Sequence, residues 1–341
     1  MHDPKSAHAA ERAAWRAQVR EEVLSPTQRI CDAHHHLWGH DGDHYFAADL
    51  LADARDGHNV VSTVYVECGW NYDEARGPAL APVAETEFVV REDEEIQRLA
   101  GRSLVRGIIA FADMLRGAAC ADTLDAHAAA GGSRFCGVRH AVAWDGSPDI
   151  VAHQKSPPAG LLLDRTFQEG VRTLGRHGVA YDVWLYHPQM TELVTLAKAA
   201  PDTTIVLDHL GAPLGIGPYA SKRDEVLAFC REQLTALASL PNVRLKLGGI
   251  GMTVFGNRWH RREVPPNSEE LAAVWADHMR WCIDTFGPAR AMFESNFPPD
   301  RRSCNYRTLW NAFKRIAEPY AQAERDLLFH DTAVDVYKLT P

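Results

Sequence analysis

Short β-branched runs alternate with longer amphipathic stretches along nearly the whole chain, and this alternation limits what it can fold into. From Arg29 onward the apolar runs begin at Ile30, Val60, Leu104, Phe135, Val179, Thr203, Val243 and Arg290. Between them lie helical patterns at Glu85–Leu99, Asp122–Ala130, Phe167–Arg176, Met190–Ala199, Arg223–Ser239 and Glu269–Phe286. Eight strands, each followed by a helix, is the count of a closed parallel barrel. The sequence therefore predicts an α/β chain with a (β/α)8 TIM barrel, a single domain over residues 29–341. A helical extension over residues 1–28 precedes it. A doubly wound sheet or a ninth strand is the alternative reading of the same pattern. The length of 341 residues suits one α/β barrel. His2 to Glu22 is charged and Ala-rich, without the apolar stretch of a signal peptide. It reads as an amphipathic helix on the outside of the barrel.

Charge narrows the function classes. The formal net charge is −9, which argues against a general nucleic-acid or anionic-membrane surface. No apolar run approaches the roughly 20 residues of a membrane helix. The seven cysteines are scattered and form no C-x-x-C pair. They read as free thiols in a reducing compartment, and so predict a cytoplasmic protein.

Enzymes on such barrels work at the C-terminal ends of their strands. The run ends carry His34 and His36, Glu67, Arg139, His187, His209, Lys246, Glu294 and Asn296. The first run reads Ile30-Cys31-Asp32-Ala33-His34-His35-His36-Leu37-Trp38. Side chains alternate along a strand, so His34 and His36 are expected on one side, the barrel interior. Two converging imidazoles can hold a divalent cation or bind a polarised oxygen. Asp32 shares their parity and is expected one layer deeper, fixing a histidine tautomer. His35 is expected to face the other way. A chance cluster in a chain with 17 histidines is the bland alternative.

Asp32 to Trp38 resembles the D-x-H-x-H signature of the amidohydrolase superfamily. The similarity continues in Gly137-Val138-Arg139-His140, Trp184-Leu185-Tyr186-His187-Pro188, Leu207-Asp208-His209-Leu210-Gly211, Lys246-Leu247-Gly248-Gly249 and Phe293-Glu294-Ser295-Asn296-Phe297-Pro298. These motifs resemble the amidohydrolase-related (amidohydrolase 2) branch that includes pyrone-dicarboxylate and sugar-acid lactonases. The resemblance makes His209 the third histidine of the site. It implies His34, His36 and His209 as ligands of at most one divalent metal ion, with Zn²⁺ favoured. The fourth run offers no lysine to bridge two metals. In similar lactonases an arginine at Arg139 binds substrate, and metal-free operation is known among them. There His34 and His36 would hydrogen-bond the substrate instead.

The eighth run departs from the family, which usually has Ser-Asp-Trp-Pro where this chain has Ser295-Asn296-Phe297-Pro298. Asparagine has no titratable carboxylate and cannot be a general base. The replacement base is sought first at Glu67, then Asp300, then Glu294. Asn296→Asp is accordingly expected to keep or raise activity. Arg139, Lys246, His187 and Tyr186 are the expected substrate contacts. Each of these, and each carboxylate, also has a structural reading as a salt-bridge or packing residue. Cys68 is discounted as a nucleophile. The segments from Trp70 to Pro82, Gly211 to Lys222 and Met252 to Pro266 are expected to overhang the site.

The resemblance implies a hydrolase that opens a lactone or related cyclic ester of a small anionic substrate with an activated water. The alternatives are metal-dependent decarboxylation of an aromatic carboxylate, or a catalytically impaired barrel that only binds a ligand. The expected partner is a small molecule, with no nucleic acid and no membrane. A homo-oligomer stays open.

Overall fold

The computed structural model describes residues 4–40, 43–150 and 157–340. Among them, eight strands pair in parallel in sequence order. They are β1 (Arg29–His35), β2 (Asn59–Val66), β3 (Val105–Ala110), β4 (Phe135–Arg139), β5 (Ala180–Val183), β6 (Ile205–Leu207), β7 (Val243–Leu247) and β8 (Ala291–Phe293). The chain is a (β/α)8 barrel, and the doubly wound alternative falls. Closure between the last strand and the first is made just past β8. Asn296 N donates to His34 O (2.9 Å) and His36 N donates to Phe297 O (2.8 Å). Residue 35 bridges residue 297 in parallel.

The expected helices form with small shifts at their ends. The patterns at Glu85–Leu99 and Glu269–Phe286 become Val83–Ala100 and Ser268–Phe286. The second starts where it does because Asn267 accepts from Glu270 N in a capping box. Among the elements that escaped the sequence reading are a hairpin and two helices. A small hairpin pairs Trp38–His40 with Asp43–Tyr45. A short helix spans Ala47–Ala54, and a longer one, Tyr306–Ala317, follows β8. No described helix is long and apolar enough to cross a membrane.

The N-terminal helix, Pro4–Arg16, docks on the loops that follow β7 and β8. Arg12 donates to His260 O (3.1 Å) and Trp15 Nε1 to Arg262 O (2.9 Å). It therefore flanks the mouth rather than the helical ring. Residues 1–3 of the expected extension lie outside the described residues.

Two apolar layers hold the barrel. The larger lies between strands and helices. The smaller fills the lumen with Cys31, Ala33, Val64, Val66, Ile109, Cys136, Val206 and Met292. The chain's end, through Ala333, Tyr337 and Leu339, joins this inner layer. Gly107 makes the room: a Cβ there would come within 2.9 Å of the Leu339 side chain. The lumen is thus packed from one end, and the polar residues gather at the other.

Candidate active site

Alternation along β1 breaks where the site begins. The register with β2 shifts between Asp32 and His35. Cys31 and Ala33 pack in the lumen, yet His34 also turns inward to meet His36. Asp32 goes the other way. Its Oδ2 accepts from Tyr306 OH (2.9 Å) and its Oδ1 from Ser295 N (2.8 Å). The expectation that Asp32 sets a histidine tautomer is therefore corrected. Strict alternation assumed a regular strand, and the irregularity sends Asp32 into the wall, where it fastens β1 to the end of β8. His35 faces Tyr65, ring to ring at 5.9 Å.

His34 and His36 bring their Nε2 atoms to 3.2 Å. His36 Nδ1 donates to Val66 O (2.8 Å), so its Nε2 carries a lone pair. The His209 ring lies 4.5 Å from that of His34. His209 Nδ1 donates to Glu294 Oε1 (2.6 Å), which leaves its Nε2 free as well. The three histidines are buried. Burial, then the neighbouring Lys246 charge, lowers the pKa of His34 to about 4. Burial, then the charge His34 would carry, holds His36 well below its usual value. Both rings are neutral at physiological pH, the form that ligates metals or accepts hydrogen bonds.

Two acids missed in the sequence complete the centre. Asp208, directly before His209, sits with Oδ1 3.5 Å from His34 Nδ1. Asp182 on β5 accepts from Lys246 Nζ (2.5 Å) and from Tyr337 OH (2.8 Å) at the same oxygen. Both acids lie in apolar runs, a signal of something to be satisfied in the interior. Burial raises the Asp208 carboxyl, but Lys246 and His34 outweigh it and hold its pKa well below the usual range. Burial likewise opposes His209 and His34 at Glu294, and the histidines win, leaving its pKa at about 2. Burial pushes Asp182 up to about 6 against the pull of Lys246.

The two expected substrate-binding cations are already engaged. Arg139 donates from Nε to Glu67 Oε1 (2.8 Å) and from a terminal nitrogen to Glu67 O. Its other terminal nitrogen faces His34 Nε2 at 3.3 Å. Lys246 is fully buried, 2.5 Å from Asp182 and 3.1 Å from Asp208. Burial lowers its pKa, but these two carboxylates hold it above the ordinary lysine value. Glu67, the first choice as base, is tied up with Arg139. His187 and Tyr186 stand apart from the histidines. His187 Nδ1 accepts from Leu214 N (3.3 Å), and its ring meets Tyr219. Tyr186 packs on Trp184, whose ring in turn lies 5.0 Å from His209. On the other flank Trp38 stacks on His36 at 5.6 Å.

Asn296 donates through Nδ2 to Asp300 Oδ1 (2.8 Å), and Gly251 N donates to Asp300 Oδ2 (2.7 Å). Asp300 is fully buried. Burial raises its pKa to about 7 despite these bonds. A buried carboxyl thus stands four residues past position 296, held by the asparagine itself. Glu294 is too acidic to compete as a base. Burial also drives the Cys68 thiol well above its usual pKa, so it is not a thiolate.

Ligand chemistry and charge both fit a divalent cation. His34, Asp208 and His209 each offer one ligand atom within 4.8 Å of the others. His36 falls outside that triplet. Among the described residues, Asp208 Oδ1 and Oδ2 and Glu294 Oε2 have no hydrogen-bond partner. Four carboxyl groups, Glu67, Asp182, Asp208 and Glu294, share this interior with two fixed cations, Arg139 and Lys246. Buried charge of that kind is costly unless a cation or protons balance it.

Comparison with known proteins places the chain. The family described as "Amidohydrolase" matches residues 31–339. The Sinorhizobium fredii protein y4mH is 30% identical over 338 residues, 91% of this chain and 98% of that protein. An L-fucono-1,5-lactonase of Burkholderia multivorans is 31% identical over 181 residues, 52% of this chain and 57% of that enzyme. Among solved structures, a zinc-bound Burkholderia multivorans amidohydrolase shares the fold with a TM-score of 0.69 and 22% identity, covering 91% of this chain and 99% of that one. The chain belongs to the amidohydrolase family.

Proposed function

We propose that the chain is a lactonase that opens a cyclic ester by attack of water activated at Asp300. The observation that carries this reading is the carboxyl of Asp300, raised to about 7 beside a buried cluster of three histidines. A base poised near neutrality is what water activation needs. Asp300 accepts the water proton and returns it to the alkoxide that leaves when the ring opens. Asn296 holds Asp300 Oδ1 and Gly251 N holds Oδ2, so the carboxylate is aimed before substrate arrives. His34, Asp208 and His209 would hold one divalent ion. When bound it supplies Lewis-acid polarisation of the ester carbonyl, with zinc favoured by the zinc-bound relative. Trp38 and Trp184 flank the histidines and suit the faces of a flat or cyclic substrate.

The substrate expected from the sequence was anionic. Both buried cations are matched by carboxylates, and the centre carries excess negative charge, so an uncharged lactone suits it better. The test is hydrolysis of a panel of sugar, aliphatic and aromatic lactones, followed by acid release with and without added zinc. Turnover of an uncharged lactone, lost in Asp300→Asn, supports the reading. A protein that ignores every lactone and instead releases carbon dioxide from aromatic carboxylates refutes it in favour of decarboxylation.

A further inference from the structure

Positive charge collects at one side of the mouth, in a chain whose net charge is −9. Three separate segments supply it. The N-terminal helix brings Arg12, the segment after β7 brings Arg258, His260 and Arg261, and the turn after β8 brings Arg302. The Arg12 guanidinium fastens the three together. It donates to His260 O (3.1 Å) and to Arg302 O (2.5 Å), and its Cζ lies 4.4 Å from the centre of the Trp15 ring. Carbonyl oxygens are neutral, so these bonds place the charge without cancelling it. Among the described residues, no carboxylate forms a salt bridge with Arg12, Arg258, Arg261 or Arg302. Arg262 differs, since its terminal nitrogen meets Glu270 at 2.8 Å. Glu11 offsets part of the Arg12 charge, but burial and Arg302 outweigh it and lower the Arg12 pKa. Glu263 is exposed and bridges none of the four.

His260 stands among these arginines. Its Nδ1 is buried and has no hydrogen-bond partner among the described residues. Burial, then the charges of Arg261, Arg12, Arg302 and Arg258, lower its pKa. An unpartnered ring nitrogen thus lies in the field of four cations. The arrangement leaves hydrogen-bonding capacity unmet and holds like charges together. One bound anion relieves both. Forks on three segments suit a tetrahedral oxyanion, whose oxygens point in several directions, better than a planar carboxylate, which a single fork saturates.

We propose that Arg12, Arg258, Arg261 and Arg302, with His260 among them, form a phosphate-binding site on the rim of the mouth, for free phosphate or for the phosphate group of a small molecule. The site lies outside the histidine centre, where Arg139 and Lys246 already have carboxylate partners. It goes beyond the lactone reading and does not depend on it.

The test is calorimetry of the full chain at low ionic strength with inorganic phosphate, glycerol 3-phosphate and acetate. Phosphate should bind with a Kd of about 1 mM or tighter, and acetate about 10-fold more weakly or worse. Imidazole signals of histidine-labelled protein, with His260→Gln assigning the ring, give a second readout. Saturating phosphate should raise the His260 pKa by about one unit, because the dianion offsets the arginines. Arg261→Gln and Arg302→Gln, both at exposed side chains, should each weaken phosphate binding by about 10- to 100-fold. Tighter binding of glycerol 3-phosphate assigns the site to an esterified phosphate and the reverse order to the free ion, and either supports the proposal. Acetate binding as tightly as phosphate, an unmoved His260, or affinity unchanged in both variants overturns it. Should the variants fail to fold, the wild-type His260 signal decides alone. Failure on every lactone would leave these signals untouched, so the two readings fail separately.

Discussion

Asp300→Asn separates the proposed base from a merely buried acid. The folded carboxyl has its pKa raised from 3.8 to about 7, chiefly by burial. For an acid whose folded pKa is raised, the native state binds more protons than the unfolded chain between those values. Its contribution to stability is complete below about pH 4 and is lost as pH rises through 7. Between pH 5 and pH 7 this amounts to two units, or about 3 kcal/mol at about 1.4 kcal/mol per unit. Asparagine never ionises, so the variant escapes this loss. Its stability relative to wild type should therefore climb by about 3 kcal/mol from pH 5 to pH 8. A constant offset of about 1 kcal/mol for the altered hydrogen bonds does not change that slope. The offset stays small because Asn296 can turn its amide over and accept from the new side chain. Urea denaturation of both proteins at several pH values reads the difference. Meanwhile kcat should fall by about 10²–10⁴-fold, the usual share of a general base. Stability curves that run parallel with pH would refute the burial argument. Full activity in the variant would refute the catalytic one.

Asn296→Asp would set a second carboxyl against Asp300 Oδ1, where the amide now donates at 2.8 Å. Like charges this close share a proton, so the acid limb of kcat/KM should rise by at least one pH unit and activity at pH 7 should drop; an unmoved limb would refute the pairing. This reverses the expectation from sequence that aspartate at 296 keeps or raises activity, because the sequence offers Asp300 as one candidate base but not its hydrogen bond to Asn296. Glu67→Gln should strip the buried Arg139 of its partner and cost about 3–5 kcal/mol. Its acid limb should stay in place in a pH–rate profile, which a catalytic Glu67 would not allow. Micromolar zinc should raise the thermal midpoint of the wild type, and Asp208→Asn should weaken zinc binding by about 10- to 100-fold by calorimetry.

Much of the barrel was legible because its strands are buried on both faces and so stay continuously apolar. The runs predicted from Phe135 and Val243 start where β4 and β7 start, and the one from Thr203 starts two residues before β6. The helix at Tyr306–Ala317 went unread although it is strongly amphipathic, because no apolar run follows it to frame it as a connection. In the site, His34 and His36 were found from spacing alone, yet the same spacing misplaced Asp32. A register shift is set by what the neighbouring strand presents, and local pattern does not carry that. Asp182 and Asp208 were passed over since their partners, Lys246 and Tyr337, lie far along the chain. Arg139 was recognised as a cation, but only the fold could show that Glu67 already occupies it.

The joint between β8 and β1 sets the terms on which this enzyme can evolve. The backbone from Ser295 to Phe297 zips the barrel shut against Asp32, His34 and His36, and the same few residues carry Asn296 toward Asp300. Architecture and chemistry therefore draw on one stretch of chain. A substitution there is judged twice, once by whether the cylinder still closes and, on the proposed role of Asp300, once by whether a proton still moves. The long segments after β2 and β7 face no such double test, so new substrates are to be sought through changes in those loops, with the joint handed down intact.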